Sequence, residues 1–436
     1  MKIVLKKSCL ILIALFIGIV MCAQESDLKQ KALEQFRKQN YPDAISLLKQ
    51  ALSENPDDAE IYYYLGYFSH YIVYDSRPFI KEGDKWSKEE VIKYLEKAVA
   101  LNPQYGDAYY FLGAEYGARA LEALRKGDIQ QYRNEIINGH KANGLPDWLI
   151  EFGRNILKSC EENAILITIG DAQFNSLQYL QIIENYRKDV TVLAWGIFNR
   201  PWYVNLIKKG IPDILVNTPV SWTEDQIFDM HPYKWDTLTL EIPVSDEYIK
   251  KYFLSPKDSI MRWELKPDMS TKRGSYLSSG TALMANIIET NKWERPVFFT
   301  FGFSSSSLAG LDSYFQIHGL ANKLLPFKTE ETNFTYDINS TEKILLDPSS
   351  YEHFSDLKEH DMPRISPVFV YTYRNILFQL AQYYATKGNI QKAGNIISKM
   401  EKFLPETIYP IHPKFKEGIE NFKNELKTST KKKDGR

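Results

Sequence analysis

The chain has 436 residues, of which 54 are Lys or Arg and 55 are Asp or Glu, so its formal net charge is −1. This balance excludes the usual kind of nucleic-acid-binding protein, which presents a clustered basic face. Of the three cysteines, Cys9 and Cys22 lie near the start, and Cys160 stands alone in the rest of the chain. An intramolecular disulfide framework is therefore excluded, and the length predicts two to three domains.

The first residues have the pattern of a secretory signal peptide. Three lysines precede an apolar run over Leu10–Met21, and the small residue Ala23 follows at a plausible cleavage point. The run is shorter than the roughly 20 residues that a membrane span needs. We therefore predict that residues 1–23 are removed and that the chain is soluble and periplasmic, or otherwise exported. A lipid anchor at Cys22 and an uncleaved leader are the alternatives.

Residues 24–150 predict a helical domain of the tetratricopeptide type. A pattern of small and apolar positions ending at a proline occurs twice, first as Ala44, Leu48, Ala51 and Pro56, and then as Leu95, Ala98 and Pro103. Each copy is followed by the start of another helix, at Tyr62, Leu65 and Gly66, and at Tyr109, Leu112 and Gly113. The copies are farther apart than the usual period of about 34 residues, which predicts an insertion near residues 70–86. Four aromatic residues are candidates for a partner-binding surface: Tyr62, Tyr74, Trp86 and Tyr109.

Residues 151–330 predict an α/β domain. The runs 164–169 and 190–195 read as buried strands, and the segment between them reads as a helix over 176–186. A strand, a helix and a strand in this order predict a parallel pair with a right-handed crossover. The remaining predicted elements are a helix over 202–209 ended by Gly210, strands over 238–242 and 261–265, a helix over 276–290, a strand over 296–301 and a helix over 311–325 ended by Pro326.

The C-terminal part predicts a further helical hairpin. Residues 331–365 are polar and read as a connecting segment. Within 366–426 the tetratricopeptide pattern returns at Leu377, Leu380, Ala381, Tyr384, Gly388, Ala393, Ile397, Met400 and Pro405. Residues 427–436, with three consecutive lysines, predict a disordered basic tail. The expected architecture is therefore α/β with all-α flanks, in which a parallel-type core sheet is clamped by N- and C-terminal helical hairpins.

Several short motifs, in a consistent order, carry a family resemblance. They are Gly170, Asp171, Leu177, Tyr179, Leu180, Gln181, Arg187, Asp189, Val190, Asn199, Pro201, Trp202, Tyr203, Asn291, Trp293, Arg295, Pro296, Phe299, Gly310, Leu311, Asp312, Tyr314, Gly319, Leu320, Ala321, Leu325 and Pro326. Together they resemble the soluble extracytoplasmic region of multi-pass, protein O-mannosyltransferase-like membrane proteins common in Bacteroidetes. In that family the membrane-embedded part is expected to transfer the sugar, so the resemblance implies no catalysis here. The family usually has a second acidic residue where this chain has Gln173.

The candidate ligand-binding residues follow the first two predicted strands. Asp171 comes directly after the first strand, and its alternative role is to cap the next helix. Asn199, Arg200, Trp202 and Tyr203 follow the second strand, so they are expected at the same edge of the sheet, where ligands of α/β proteins bind. Packing of the two aromatic side chains under the loop is the alternative. Carboxylate, guanidinium and aromatic groups together suit a sugar or a peptide carboxylate.

No catalytic constellation, metal motif or cofactor motif is evident in the sequence. The seven histidines are scattered and the glycines do not cluster into a phosphate-binding loop. We therefore interpret the chain as a non-catalytic envelope scaffold that binds a protein or peptide partner through helical repeats. The alternative is a glycan-binding accessory factor in cell-envelope glycosylation. A hydrolase is a distant third possibility, and a nucleic-acid partner is not expected.

Overall fold

The computed structural model describes residues 27–74, 88–236, 238–251, 259–329, 335–358 and 360–434. The predicted leader and most of the predicted insertion at 70–86 lie outside these residues. The described part forms two compact units. The first contains residues up to Ala120 together with Asn138–Leu145 and His360–Pro363, and the second contains Leu121–Ile137, Pro146–Glu359 and the C-terminal part from Arg364.

The first unit is helical. Its helices are α1 (residues 27–37), α2 (Tyr41–Glu54), α3 (Ala59–Tyr74), α4 (Lys88–Leu101) and the beginning of α5 (Gly106–Arg125), and it includes the end of α6 (Ile129–Lys141). Gly66 lies where α3 crosses α4, because a Cβ atom there would be 2.6 Å from Cδ2 of Leu95. The predicted helical pairs and the small residue at their crossing are present, and the tetratricopeptide assignment itself stays a prediction.

The second unit contains a five-stranded mixed sheet. Its strands are β1 (Ile165–Thr168), β2 (Thr191–Ala194), β8 (Val297–Thr300), β9 (Phe315–His318) and β10 (Ala321–Leu324), in the order β2-β1-β8-β10-β9. Strand β1 is parallel to both β2 and β8, whereas β10 is antiparallel to β8 and to β9. The predicted parallel character therefore holds for only three of the five strands.

Helices cover this sheet and connect its parallel strands. They are α7 (Asp147–Ser159), α8 (Asp171–Ile182), α9 (Pro201–Lys209) and α12 (Ser279–Asn291). Tyr203 and Val204 of α9 pack with Ile165 and Ile167 of β1 in one buried core. Helix α9 ends at Gly210, whose φ of 70° lies in the region that glycine favours. These are the elements expected around 164–209, with boundaries shifted by a few residues.

A smaller excursion separates α9 from α12. It contains α10 (Glu224–Phe228), β3 (Tyr233–Lys234), β4 (Leu238–Pro243), α11 (Asp246–Lys251), β5 (Ile260–Leu265), β6 (Met269–Thr271) and β7 (Gly274–Leu277). Strands β4 and β5, both expected, pair with each other and not with the main sheet. The helix expected from Tyr276 begins later, because Tyr276 lies in β7 and the side chain of Ser278 caps α12 by accepting a hydrogen bond from the Thr281 N–H.

The prediction of a helix over residues 311–325 was wrong. A 3₁₀ turn over Leu311–Tyr314 leads instead into the β9–β10 hairpin. Burial alternates along β9, as it does in a strand. Gly319, with a φ of 65°, supplies the left-handed backbone for the two-residue turn. The pairing of β10 with β8 thus overrides the helix propensity of this leucine-rich segment.

The C-terminal region has three helices, α14 (Ser366–Thr386), α15 (Ile390–Phe403) and α16 (Pro413–Asp434). Helix α14 packs on α7, where the rings of Phe369 and Phe152 stack with centroids 4.2 Å apart. The segment expected to be a plain connection contains α13 (Ile338–Leu345) and two 3₁₀ turns. The tail expected to be disordered from residue 427 is helical as far as Asp434, which corrects that prediction.

Candidate functional site

Three parallel strands end at one edge of the sheet, where the segments that follow them contact one another. The chain leaves β1 at Ile169 and Gly170, leaves β2 at Trp195, and leaves β8 at Phe301. The chain runs from β1 to β2 on one side and returns to β8 on the other side of β1. Such a change of direction is where open α/β sheets bind ligands, outside the carboxyl ends of the strands. We call this place the strand-end crevice and define it by Asp171, Gln173, Trp195, Gly302 and Phe303.

The β1 side of the crevice is the first turn of α8. Gly170, with a φ of 83°, precedes the helix, and a Cβ atom there would meet nothing within 4 Å. Asp171 is exposed and is the first helical residue, so its carboxylate lies at the positive end of the helix dipole. The N-cap position is occupied by Gly170, not by Asp171, so capping in the strict sense does not explain this aspartate.

Gln173 joins the β1 side of the crevice to the β8 side. Its side chain is 8% exposed, and its Nε2 donates a hydrogen bond of 3.0 Å to the carbonyl oxygen of Phe301. Its Oε1 is buried without a hydrogen-bond partner. The next residue after Phe301 is Gly302, with a φ of 112°, and a Cβ atom there would be 3.2 Å from the side chain of Ile169. A larger residue at 302 would therefore press into the floor of the crevice.

An aromatic pair forms the opposite side. Trp195 follows β2 and Phe303 follows β8, and their rings meet edge to face with centroids 5.9 Å apart. Because β1 lies between β2 and β8, this pair extends across the end of β1. The Nε1 of Trp195 is also buried without a hydrogen-bond partner. Exposed hydroxyls follow at Ser304, whose Oγ lies 2.8 Å from that of Ser307.

The residues predicted after β2 separate into two groups. Asn199 and Arg200 are exposed just before α9, on the strand-end side of the sheet. Tyr203 is buried, and its hydroxyl accepts a hydrogen bond of 2.9 Å from the N–H of Ala194. Trp202 is half-buried and carries the guanidinium of Arg125 5.8 Å from its ring centroid. Tyr203 is therefore part of the packed core, and ligand binding by these residues stays a prediction.

Two of the four predicted partner-surface residues, Tyr62 and Tyr109, have described side chains, and both lie in the first unit. Tyr62 and Tyr109 are half-buried. The ring of Tyr62 lies 6.4 Å from that of Tyr94 and 5.9 Å from the Lys97 ammonium. The hydroxyl of Tyr109 donates to the carbonyl of Pro103. Trp86 and the side chain of Tyr74 lie outside the described residues.

Two arginines of the resemblance have structural roles away from the crevice. Arg295, which precedes β8, donates to the carbonyl oxygens of Asn163, Ala164 and Asn217. Arg187 donates to three carbonyl oxygens that follow or end α7, and it binds Asp189 through two nitrogens at 2.8 Å. The hydrogen bonds from the Arg187 guanidinium hold the pKa of the Asp189 carboxyl below its usual range. Both arginines therefore connect separate segments of the second unit through backbone carbonyl oxygens.

Sequence reasoning missed Trp195 and Phe303 as crevice residues. Each is an aromatic residue within three positions of the end of a buried strand, which is the signal that the sequence offered. Among the described residues, the structure brings together no group of three or more His, Cys, Asp or Glu side chains that would hold a metal ion. None of the described helices is both long enough and apolar enough to cross a membrane.

The central part of the chain is similar to known proteins. Residues 149–233 and 228–343 match the model of the TMEM260-associated domain 2. A segment of 101 residues is 31% identical to the mouse (Mus musculus) protein O-mannosyl-transferase TMEM260. The central region of this chain is TMEM260-like. That segment is 22% of this chain and only 14% of the mouse protein, so the match spans a small part of its relative.

Proposed function

We propose that this chain is a glycan-binding accessory protein in a glycosylation-related process, and that it acts by binding and not by catalysis. The observation that supports the proposal is the edge at which the parallel strands end, where Asp171 is exposed and the rings of Trp195 and Phe303 lie 5.9 Å apart. Carbohydrate ligands need polar partners for their hydroxyl groups and an apolar surface for their ring faces.

The relationship to a protein named as an O-mannosyl-transferase supports a role connected with glycosylation. The relative's activity belongs to that whole protein, of which this chain matches a small part. The crevice lies within the matched region, because Asp171, Trp195 and Gly302 are all between residues 149 and 343. We also propose that the chain is exported, as the pattern of its first 23 residues suggests.

Thermal unfolding of the purified chain in the presence of neutral oligosaccharides tests this proposal. A ligand at 100 times its dissociation constant adds about 2.7 kcal/mol to the stability of the folded state, which raises the melting temperature measurably. We expect Asp171→Ala to abolish that gain. Asp147→Ala is the matched control, because Asp147 is likewise the first residue of a helix. The proposal would be contradicted if a saccharide raised the melting temperatures of Asp171→Ala and Asp147→Ala equally. It would also be contradicted if no saccharide of a broad panel raised the melting temperature of the wild type.

A second candidate function is a protein-binding scaffold. The aromatic residues of the first unit favour it, since Tyr62 and Tyr109 keep part of their surface at the solvent on neighbouring helical pairs. Tyrosine is enriched at protein interfaces because it combines a large apolar ring with a polar hydroxyl. We expect Tyr62→Ala and Tyr109→Ala to release a co-purifying protein partner while Asp171→Ala retains it. The reverse pattern would favour the crevice.

A further inference from the structure

We propose that a cavity in the C-terminal helical region binds a small anionic amphiphile, a molecule with an apolar chain and one negatively charged head group. The cavity has a volume of about 460 Å³, which is within the range of small-molecule sites. Its lining residues lie between positions 357 and 415, beyond the region that the family model matches. We call it the C-terminal cavity. It is separate from the strand-end crevice and does not depend on the proposed glycan binding.

Two walls enclose the C-terminal cavity. One wall is the first part of α14, which contributes Val368, Tyr371 and Arg374. These residues recur at a spacing of three, so neighbours among them share a face of the helix. The other wall is the loop over residues 408–412, between α15 and α16. The ring of Tyr371 meets that of Phe415 on α16 edge to face, with centroids 5.3 Å apart, so the walls are joined by packing.

Arg374 brings a buried positive charge to the lining of the cavity. The residue is 3% exposed. Its guanidinium donates to three backbone carbonyl oxygens, those of Leu404, Tyr409 and Pro410, at 2.9, 2.6 and 3.3 Å. A guanidinium has five N–H groups, and among the described residues the other two have no acceptor. They remain for a ligand.

The charge of Arg374 is not neutralised by its protein partners. All three of its acceptors are neutral carbonyl groups, and a buried charge without a countercharge is costly. Burial lowers the pKa of Arg374 to about 10, so the group is still charged at neutral pH. Glu406 opposes this shift only in part, and its own carboxylate forms an ion pair with Lys416 at 2.8 Å. An anionic ligand group would supply the missing countercharge.

The remaining lining residues set the chemistry of the ligand. Among the described residues, three of the eight exposed large apolar side chains line this one cavity, at Val368, Tyr371 and Ile408. Such clustering marks a binding surface, and their exposure shows that the site is accessible as it stands. Lys358 and His412 are further basic lining residues, whereas no Asp or Glu is found among the described lining residues.

An apolar chain with an anionic head complements both features of the C-terminal cavity. A cationic amphiphile would fit the apolar wall but would meet like charge at Arg374. A neutral apolar molecule would leave the guanidinium without a countercharge, and a small hydrophilic anion would leave the apolar wall uncovered. Carboxylates and phosphates are both good acceptors for arginine, so a fatty acid and a lipid phosphate are the two sources of such a head group.

Isothermal titration of the full chain with four octyl compounds tests the inference. The probes are octanoate, octyl phosphate, 1-octanol and octyltrimethylammonium, each below its critical micelle concentration. We expect octanoate or octyl phosphate to bind at least about 10-fold more tightly than octanol, because each adds a charge-assisted hydrogen bond, and we expect the cation not to bind. The tighter of the two anions identifies the head group as carboxylate or phosphate.

Two substitutions at one exposed position separate charge from packing. Val368→Glu and Val368→Lys both remove the same apolar side chain, but only the first adds a negative charge beside the ligand head. We expect Val368→Glu to weaken anion binding by about 10-fold and Val368→Lys to keep it within about threefold of the wild type. Both should keep the wild-type melting temperature, because Val368 is 55% exposed.

Arg374→Gln should abolish the preference for the anion over octanol, and the Val368 pair decides the matter if that variant does not fold. Equal affinity of the wild type for octanol and both anions would overturn the inference. So would equal weakening of anion binding by Val368→Glu and Val368→Lys, or a failure of every octyl probe to bind. None of these results bears on the strand-end crevice, whose test uses saccharides.

Discussion

The buried carboxyl group of Glu151 makes the stability of the second unit depend on pH. Glu151 lies on α7 and is 4% exposed. Its Oε2 accepts a hydrogen bond of 2.5 Å from the N–H of His353, whereas its Oε1 has no hydrogen-bond partner. Burial raises the pKa of this carboxyl from 4.5 to about 7, and the hydrogen bond from His353 only partly opposes the shift.

The direction of the effect follows from proton linkage. Between pH 4.5 and about 7 the folded chain keeps the Glu151 proton, while the unfolded chain has lost it. Because the folded state then binds more protons, the free energy of unfolding falls as the pH rises through this window and levels off above it. Each unit of pKa shift corresponds to about 1.4 kcal/mol, so the full loss is on the order of 3 kcal/mol.

Urea unfolding of the wild type and Glu151→Gln at pH 5, 6, 7 and 8 measures this effect. Tryptophan fluorescence reports mainly on the second unit, because every tryptophan except Trp86 lies in it. Gln keeps an oxygen for the His353 N–H and never ionises. We expect the variant to gain about 2–3 kcal/mol on the wild type by pH 8, and to gain little at pH 5.

The control is Glu162→Gln, the same chemical change at an exposed position. It should alter stability by less than about 0.5 kcal/mol at each pH. A difference between wild type and Glu151→Gln that is independent of pH, or that grows towards acid, would refute the reasoning.

Two further substitutions test the packing of the helices. Gly66→Ala should destabilise the first unit by about 1–3 kcal/mol in circular-dichroism melts, because its Cβ would overlap Leu95. The control is Gly394→Ala in α15, which should be neutral or stabilising because the added Cβ would meet open space. Arg374→Met should cost about 2–4 kcal/mol in urea unfolding, since the buried guanidinium donates to the carbonyl oxygens of Leu404 and Tyr409 at 2.9 and 2.6 Å. Unchanged midpoints for Gly66→Ala or Arg374→Met would count against these contacts.

Local sequence patterns were sufficient for much of the core. The apolar runs that became β1, β2 and β8 are bounded by polar or turn residues, and every residue of β1 and β8 is buried. Short apolar runs bounded by turn residues are typical of buried strands, and their length argues against a helix. Gly210 marked the end of α9 by its own chemistry, whereas the start of α12 was predicted too early. These features depend on neighbours in sequence, so they are readable without coordinates.

The β9–β10 hairpin shows where such reasoning failed. Its segment has leucines and lysine at spacings compatible with a helix, and the two-residue turn at Gly319 was the signal against that interpretation. What selects the hairpin is pairing with β8, a long-range interaction. Propensity is only a weak prior when a sheet edge is available for pairing.

The sequence by itself determined the helical termini, the α/β centre and the polar residue at the end of β1. Only the tertiary structure decided that the sheet is mixed, that Tyr203 is buried, and that Gln173 and Trp195 each contact the segment after β8. The reason is physical: a strand or helix end is specified by adjacent residues, whereas a binding site requires side chains from three separate strand ends to meet. That meeting depends on strand order, which no local pattern encodes.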